Sequence, residues 1–569
     1  MRLLAAALLL LALPASAQER GLLLVPDRVF DGETMHSGWA VLVRADTIAA
    51  VGPPGTLGDV RGVQTMNFPG MTLLPGLIEG HSHLLLHPYD ETGWTEQVLN
   101  ESVAERVARG VVHAEAGLRA GWTTTRDLGS EGAGYADVGL RDAIDKGVIP
   151  GPRLLVAGPA IVATGSYGPS GFRPDMEVPL GAQEADGVDL IRVTREQIGG
   201  GADWVKLYAD YRWGPGGEAR PTFSEDEIRM VVETAASSGR DVVAHASTAE
   251  GMLRAVRAGV RSIEHGDGGT PEVWAEMARR GTWLCPTLGA VDAISRYQGW
   301  DGAEPAPARI AVKRRQFADA LAAGVPMCLG SDVGVFDHGD QAVEAELMVG
   351  YGMAPLDVLR AATSGNAAML RLEDRIGSVR VGMLADLVVV EGDPSVDMAA
   401  LRQVRRVVQG GRVVREAPNT TPPRRPKPTG RETLHLGTSA ETPRRAGSGR
   451  ADLLGHLRRG RGRAIARGQV VAQRRERLDA RQLAAQDQAV DVVGPLIGVD
   501  RLQVDHVVDH AVLARDAVAA HHVARHAGDL QRLADVGALG QRHHRRVQAA
   551  LVLEGAQAPR DELHLGDVG

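Results

Sequence analysis

Leu73-Leu74-Pro75-Gly76-Leu77-Ile78-Glu79-Gly80-His81-Ser82-His83 is a short apolar run that ends on two histidines, two residues apart. In an extended backbone, residues i and i+2 project to the same side. The imidazoles of His81 and His83 therefore reach a common point, and Ser82 faces away. A lone His-x-His is weak, because histidines near strand ends are common. Its weight comes from what surrounds it.

From Gly76 to about Gly365 the chain repeats an apolar strand, a loop and a longer amphipathic helix. Strands are expected at 122–127, 153–157, 204–207, 241–245, 262–265, 282–285 and 326–332, with helices at 102–120, 224–238 and 248–258 among them. Counting the first strand, eight strands alternate with helices. That argues for an α/β chain folded as a (β/α)8 barrel. Before the barrel the pattern is one of short alternating strands and turns, clearest at 40–44 and 47–52. Strands return at 385–390 and 404–414. The expected organisation is a barrel over 73–375 and a small β-sandwich domain made from 18–72 and 376–416.

Barrels of this kind carry their chemistry at the C-terminal ends of the strands. The polar residues at those ends are His81, His83, Lys206, His245, His265 and Asp332. Taken singly, each has an ordinary explanation: a core histidine, a helix cap, a lysine reaching out to water. Found together on separate strand ends, they suit a divalent transition metal such as Zn²⁺, which takes imidazole and carboxylate ligands. Glu264, next to His265, should face the other way and is read as structural. Tyr167, Tyr208, Tyr211 and His338 fall in expected loops over the barrel mouth, where they are candidates to hold a substrate. His87 has the same standing, and His36 and His113 read as surface or helix residues.

The first 17 residues read as a secretory signal: Met1-Arg2, an apolar run over 3–13, then Pro14-Ala15-Ser16-Ala17 before Gln18. The run is too short to span a bilayer, so the expected location is periplasmic or secreted, with no membrane contact after cleavage. Cys285 and Cys328 each sit in an apolar run. Export permits a disulfide, but two buried thiols on separate strands are the expectation.

The 569 residues carry a net charge of −8, which names no nucleic-acid partner. That average hides a division. From Asn419 to the end there is no Phe, Tyr, Trp, Cys or Met, and 24 Lys+Arg stand against 17 Asp+Glu. Ten of the 18 histidines lie there. Without aromatic residues a packed core is not expected. The segment 417–569 reads as disordered or as out-of-frame translation of GC-rich DNA.

The stretches Pro75-Gly76-Leu77-Ile78-Glu79-Gly80-His81-Ser82-His83, Gly121-Trp122-Thr123-Thr124-Thr125-Arg126-Asp127, Gly201-Ala202-Asp203-Trp204-Val205-Lys206, Ile263-Glu264-His265-Gly266, Gly330-Ser331-Asp332 and Gly382-Met383-Leu384-Ala385-Asp386-Leu387 resemble the metal-dependent amidohydrolase superfamily. The nearest branch is the imidazolonepropionase-like and prolidase-like dipeptidase group. The resemblance spans roughly 18–415 and implies a barrel with a small β-sandwich.

It also implies two divalent ions, with zinc the expected metal. His81, His83 and Asp332 would hold the more buried ion, and His245 and His265 the more exposed one. Lys206 matches the lysine that is carboxylated by CO₂ and bridges both. A carbamate suits that place, since a free ammonium beside two cations would be repelled. Asp332 would take a proton from the metal-activated water and pass it to the leaving amine. Glu79 stands where many relatives have Asp, which bears on ligand support rather than on the ligand set.

The implied activity is hydrolysis of small amides, dipeptides first. The alternatives are a one-metal cyclic amide hydrolase of the imidazolonepropionase kind, a deaminase, and a periplasmic small-molecule binder that does no chemistry. Homo-oligomerisation stays open.

Overall fold

The computed structural model describes residues 21–416, Pro174 excepted. The expected signal segment 1–17 and the tail 417–569 lie outside the described residues. Among those described, no helix is long and apolar enough to cross a membrane.

Two parallel sheets carry the middle of the chain. Leu77–Ser82, Trp122–Asp127 and Arg153–Val156 form a three-stranded sheet. Gln183–Glu184, Ile161–Val162, Val205–Tyr208, Val242–Ala246, Ser262–His265 and Trp283–Cys285 lie side by side, in that order, in a second. Leu77–Ser82 and Trp122–Asp127 are buried at every residue, as expected of parallel strands covered on both faces. Helices cross over between strands, among them Val103–Arg119, Glu225–Ala236, Ala249–Ala258 and Pro271–Arg280. The last three start on Ser224, Thr248 and Thr270, whose hydroxyls accept from the first turn and satisfy donors a helix start leaves open. The result is a TIM-barrel-like α/β fold.

Further hydrogen bonds join the two sheets. Trp204 N donates to Val156 O at 3.1 Å, Cys328 N to Leu284 O at 2.9 Å, and Gly80 N to Leu329 O at 2.9 Å. The stretch 326–333 is not a regular strand, yet it makes parallel bridges from Met327 to Leu284 and from Val333 to Ser82. Gly80 is where this stretch comes closest: a Cβ there would stand 2.5 Å from Cys328 Sγ and 2.8 Å from Leu329 O.

The N- and C-terminal strands meet as foreseen in one small β domain, hydrogen-bonded in a sheet of eight strands. Gln64–Pro75 is the cause. At 12 residues it pairs with Leu22–Phe30 on one side and Leu387–Glu391 on the other. The same strand runs past residue 72 and delivers the chain directly to Leu77–Ser82.

Cys285 and Cys328 form a disulfide, which corrects the expectation of two free thiols. Their segments are neighbours, with Leu284 hydrogen-bonded to both Pro326 and Cys328. That brings the two Cα atoms to 4.6 Å, within bridging range.

Candidate metal centre

His81 and His83 stand at the end of Leu77–Ser82, and their Nε2 atoms are 3.3 Å apart. Asp332 Oδ1 lies 3.5 Å from the first and 3.3 Å from the second. The Asp332 N–H donates to the His81 carbonyl at 2.8 Å, so backbone register sets the carboxylate against both rings. His265 joins from Ser262–His265: ligand atoms of His81, His265 and Asp332 all lie within 4.8 Å of one another. His245 packs on His265 with ring centroids 4.5 Å apart. His265 thus stands close to the first group as well as to His245, rather than with His245 alone.

Lys206, on Val205–Tyr208, is buried. It is not part of the cavity wall, but its charge acts on His81, His245, His265 and Asp332.

The chain turns sharply where these groups are presented. Six described non-glycine residues have positive φ, and four of them are Glu131 (48°), His265 (73°), Thr287 (53°) and Asp332 (61°). All four line one cavity. Such conformations are costly for residues with a Cβ and persist where the surroundings enforce them. At His265 the turn has a clear consequence. Strand alternation sends Glu264 inward and should send His265 outward, yet the left-handed backbone brings the His265 ring to the site too.

Glu264 is therefore more than packing. Its Oε2 is 2.7 Å from His81 Nδ1, while Oε1 accepts from Arg126 at 3.1 Å and from the Ser262 hydroxyl at 2.7 Å. Arg126 is fully buried, donates to Gly80 O at 2.7 Å, and lies 4.7 Å from the centre of the Trp204 ring. His83 Nδ1 donates to Gly129 O at 3.0 Å, and His265 Nδ1 is 2.9 Å from Thr287 Oγ1. In each ring a partner on Nδ1 leaves Nε2 to face an ion, the arrangement that orients histidine ligands. Glu79 accepts from the N–H of His81 at 2.9 Å and of Ser331 at 2.8 Å. It braces both sides of the ligand pair, and burial pushes its carboxyl up to about 8.

Charge states follow from burial and neighbours. Burial, with the Lys206 charge adding to it, holds His81 well below the ordinary histidine value. Burial does the same to His245 and His265, helped by His265 and His81 respectively. These rings are neutral and able to donate a lone pair. Burial would lower His83 as well, but its hydrogen bond to Asp332 and the negative charges of Asp332, Glu131 and Asp127 together push it up to about 9. Asp332 is held below the usual carboxylate value, because His81, His83 and Lys206 outweigh its own burial. Burial lowers the Lys206 ammonium against the pull of Glu264 and Asp332. Two neutral imidazoles, His81 and His265, and the anionic Asp332 carboxylate within 4.8 Å of one another fit a divalent ion such as zinc.

The cavity over these groups holds about 590 Å³, ordinary for a small-molecule site. Tyr167, Tyr208 and Tyr211 line it. Tyr208 stacks on His245 at 4.5 Å and 16°, and Tyr167 donates to Glu131 Oε2 at 2.8 Å. His338 does not belong here. Its ring stacks on His113 at 4.2 Å, and its Nε2 bonds Leu86 O at 3.1 Å. The chain turns after Asp332 and sets His338 behind the cavity wall, against the backbone of Leu86 and His83. His87 is likewise enclosed elsewhere, between Glu91 and Glu101. The sequence left Glu131, Asp210, Thr287 and Arg126 without a role. Arg126 lay inside a quoted motif; nothing local marks the others.

Residues 72–414 match the Amidohydrolase family. The chain belongs to the amidohydrolase family. Within it, the chain is 28% identical over 428 residues to the ochratoxinase of Aspergillus niger, covering 69% of this chain and 85% of that protein. It is 24% identical over 405 residues to the imidazolonepropionase of Micrococcus luteus, covering 63% and 89%. A crystal structure of a Xaa-Pro dipeptidase with bound methionine in its active site superposes with a TM-score of 0.62 at 28% identity, covering 69% and 99%. This amidohydrolase is thus a hydrolase of carbon–nitrogen bonds in a metal-dependent family, with relatives in the prolidase-like and imidazolonepropionase-like branch.

Proposed function

We propose that the protein is an exported, periplasmic or secreted, binuclear zinc amidohydrolase that cleaves dipeptides. The observation that carries this is the convergence of His81, His83, His265 and Asp332 at the ends of parallel strands, with His245 and Lys206 beside them. In this proposal the cross-sheet hydrogen bonds close the strands into a (β/α)8 barrel. His81, His83 and Asp332 hold one ion, and His245 and His265 the other. Lys206, once carboxylated, would complete the ligand set of both; burial lowers its amine, which favours the free base that reacts with CO₂.

Divalent ions held by these residues would supply a water that is deprotonated near neutral pH and a Lewis acid for the scissile carbonyl. Asp332 accepts the proton on its carboxylate and hands it to the departing nitrogen. Tyr167, Tyr208 and Tyr211 form the wall against which the substrate lies, and the glutamate and backbone bonds on Nδ1 keep His81 and His83 in place.

Elemental analysis tests the centre, run on the full chain and on a version ending at Pro418 so that the ten tail histidines are accounted for. Two ions per shortened chain and turnover of a dipeptide panel are expected. The compact His81–His265–Asp332 group favours one alternative, a single-ion cyclic amide hydrolase or deaminase. One ion, with cyclic amides turned over in place of dipeptides, would select it. No metal after reloading would leave a small-molecule binder.

A further inference from the structure

Four carboxylates line the cavity: Glu131, Asp210, Asp267 and Asp332. Three have partners that account for them. Asp332 bonds His83. Asp210 accepts from the N–H groups of Ser247 and Thr248 at the start of Ala249–Ala258, and Asp267 pairs with Lys313. Glu131 differs. Its Oε2 accepts from Trp94 Nε1 at 2.9 Å and from the Tyr167 hydroxyl at 2.8 Å, and these two bonds aim the carboxylate.

Oε1 receives no hydrogen bond among the described residues. It lies 3.9 Å from His83 Nδ1, which is already bonded to Gly129 O. Glu131 is only 3% exposed, sits at a φ of 48°, and has its carbonyl gripped by Arg106 at 2.7 Å. No lysine or arginine side chain among the described residues makes an ion pair with it. A buried carboxylate whose Oε1 meets only His83 among the described residues, at 3.9 Å, loses that partner's charge when the ring takes a metal, and is then costly unless another cation arrives. At the rim the sign reverses: Arg212 and Arg309 line the same cavity, are exposed, and meet no carboxylate among the described residues.

We propose that Glu131 binds the α-ammonium of the substrate, which makes the substrate class an unblocked, zwitterionic dipeptide rather than an N-acyl amino acid. This rests on the hydrolase reading above. The ammonium of a dipeptide is two bonds from the scissile carbonyl carbon, so an anion beside His83 holds it next to the bond to be cleaved. The C-terminal carboxylate lies farther out and meets Arg212 and Arg309. An N-acyl group offers Glu131 no charge and leaves the buried carboxylate uncompensated.

The test compares Ala-Xaa dipeptides with their N-acetyl counterparts, which share the scissile bond. Wild-type enzyme should favour the free amine by about tenfold or more in kcat/KM. Glu131→Gln should collapse that ratio, chiefly through a rise in KM for the free dipeptides. Equal or better hydrolysis of the N-acetyl series by wild type overturns the proposal, as does an equal fall for both series in the variant. Should Glu131→Gln fail to fold, Tyr167→Phe removes one of the two bonds that aim the carboxylate and should lower the same ratio by less. If no amide is turned over, the hydrolase reading fails, and the anchor is still decided by calorimetry on metal-loaded protein. A phosphinate isostere of the dipeptide should bind more tightly with its amine free than acetylated; equal affinities overturn the anchor.

Discussion

The two sides of the centre are built differently. His81 and His83 are held by Glu264 at 2.7 Å and Gly129 O at 3.0 Å, and behind Glu264 stand a buried arginine and a serine. On the other side, His265 leans on the Thr287 hydroxyl. His245 has the Tyr208 ring and longer approaches of 3.4 Å to Ser247 and 3.9 Å to Asp210. A preorganised group loses less freedom on binding. The His81 side should therefore take its ion first and hold it harder, and the His245 side should adjust as the substrate enters.

The largest effect is expected at Asp332, which the proposed mechanism uses both as a ligand on the tight side and as the proton carrier. Asp332→Asn should lower kcat by about 10² to 10⁴-fold with much of the metal retained by elemental analysis. A kcat near wild type would leave Asp332 no part in proton transfer.

Glu264→Gln and Asp210→Asn test the contrast itself. Glu264→Gln should weaken the first ion by about 10- to 100-fold in chelator competition. It also strands Arg126 in the interior, at a cost of about 3–5 kcal/mol in denaturant unfolding. Asp210→Asn should spare the first ion and loosen the second by about tenfold or less. Equal losses from both variants would abolish the distinction.

Proton release separates the sides more finely. With its value near 9, His83 keeps a proton at pH 7 that the first ion must displace. Its apparent affinity should rise about tenfold per pH unit and level off above about pH 9. His245 and His265 are already neutral, so the second ion should displace none. Calorimetry in buffers of different ionisation enthalpy reads this directly, and absence of release with the first ion would contradict the His83–Asp332 proton.

The smallest effect is expected outside the cavity. His338→Phe should change kcat/KM by no more than about twofold and cost about 0.5–1.5 kcal/mol through the lost bond to Leu86. A large fall in kcat/KM would return His338 to the site.

Much of the fold was legible because it is written locally. Apolar runs alternating with amphipathic helices, and His81 and His83 two apart, are patterns a few residues long. The bond between Cys285 and Cys328 was not legible, since whether two apolar segments lie side by side depends on the order in which strands assemble. The joining of the N- and C-terminal strands was hidden for a related reason: nothing in Gln64–Pro75 announces that it pairs on both edges. That His338 stands behind the wall and not in it was hidden too, because the turn after Asp332 sets its ring against the backbone of Leu86 and His83.

By itself, then, the sequence determined the strand and helix rhythm and the polar residues waiting at the strand ends. Tertiary structure alone decided what supports them. Glu264 meets His81 across 183 positions, and Glu131 meets Tyr167 across 36. Those meetings depend on strand register and on left-handed turns at Glu131, His265 and Asp332. Such turns leave no periodicity to read, because the packed surroundings impose them on residues that would not adopt them alone.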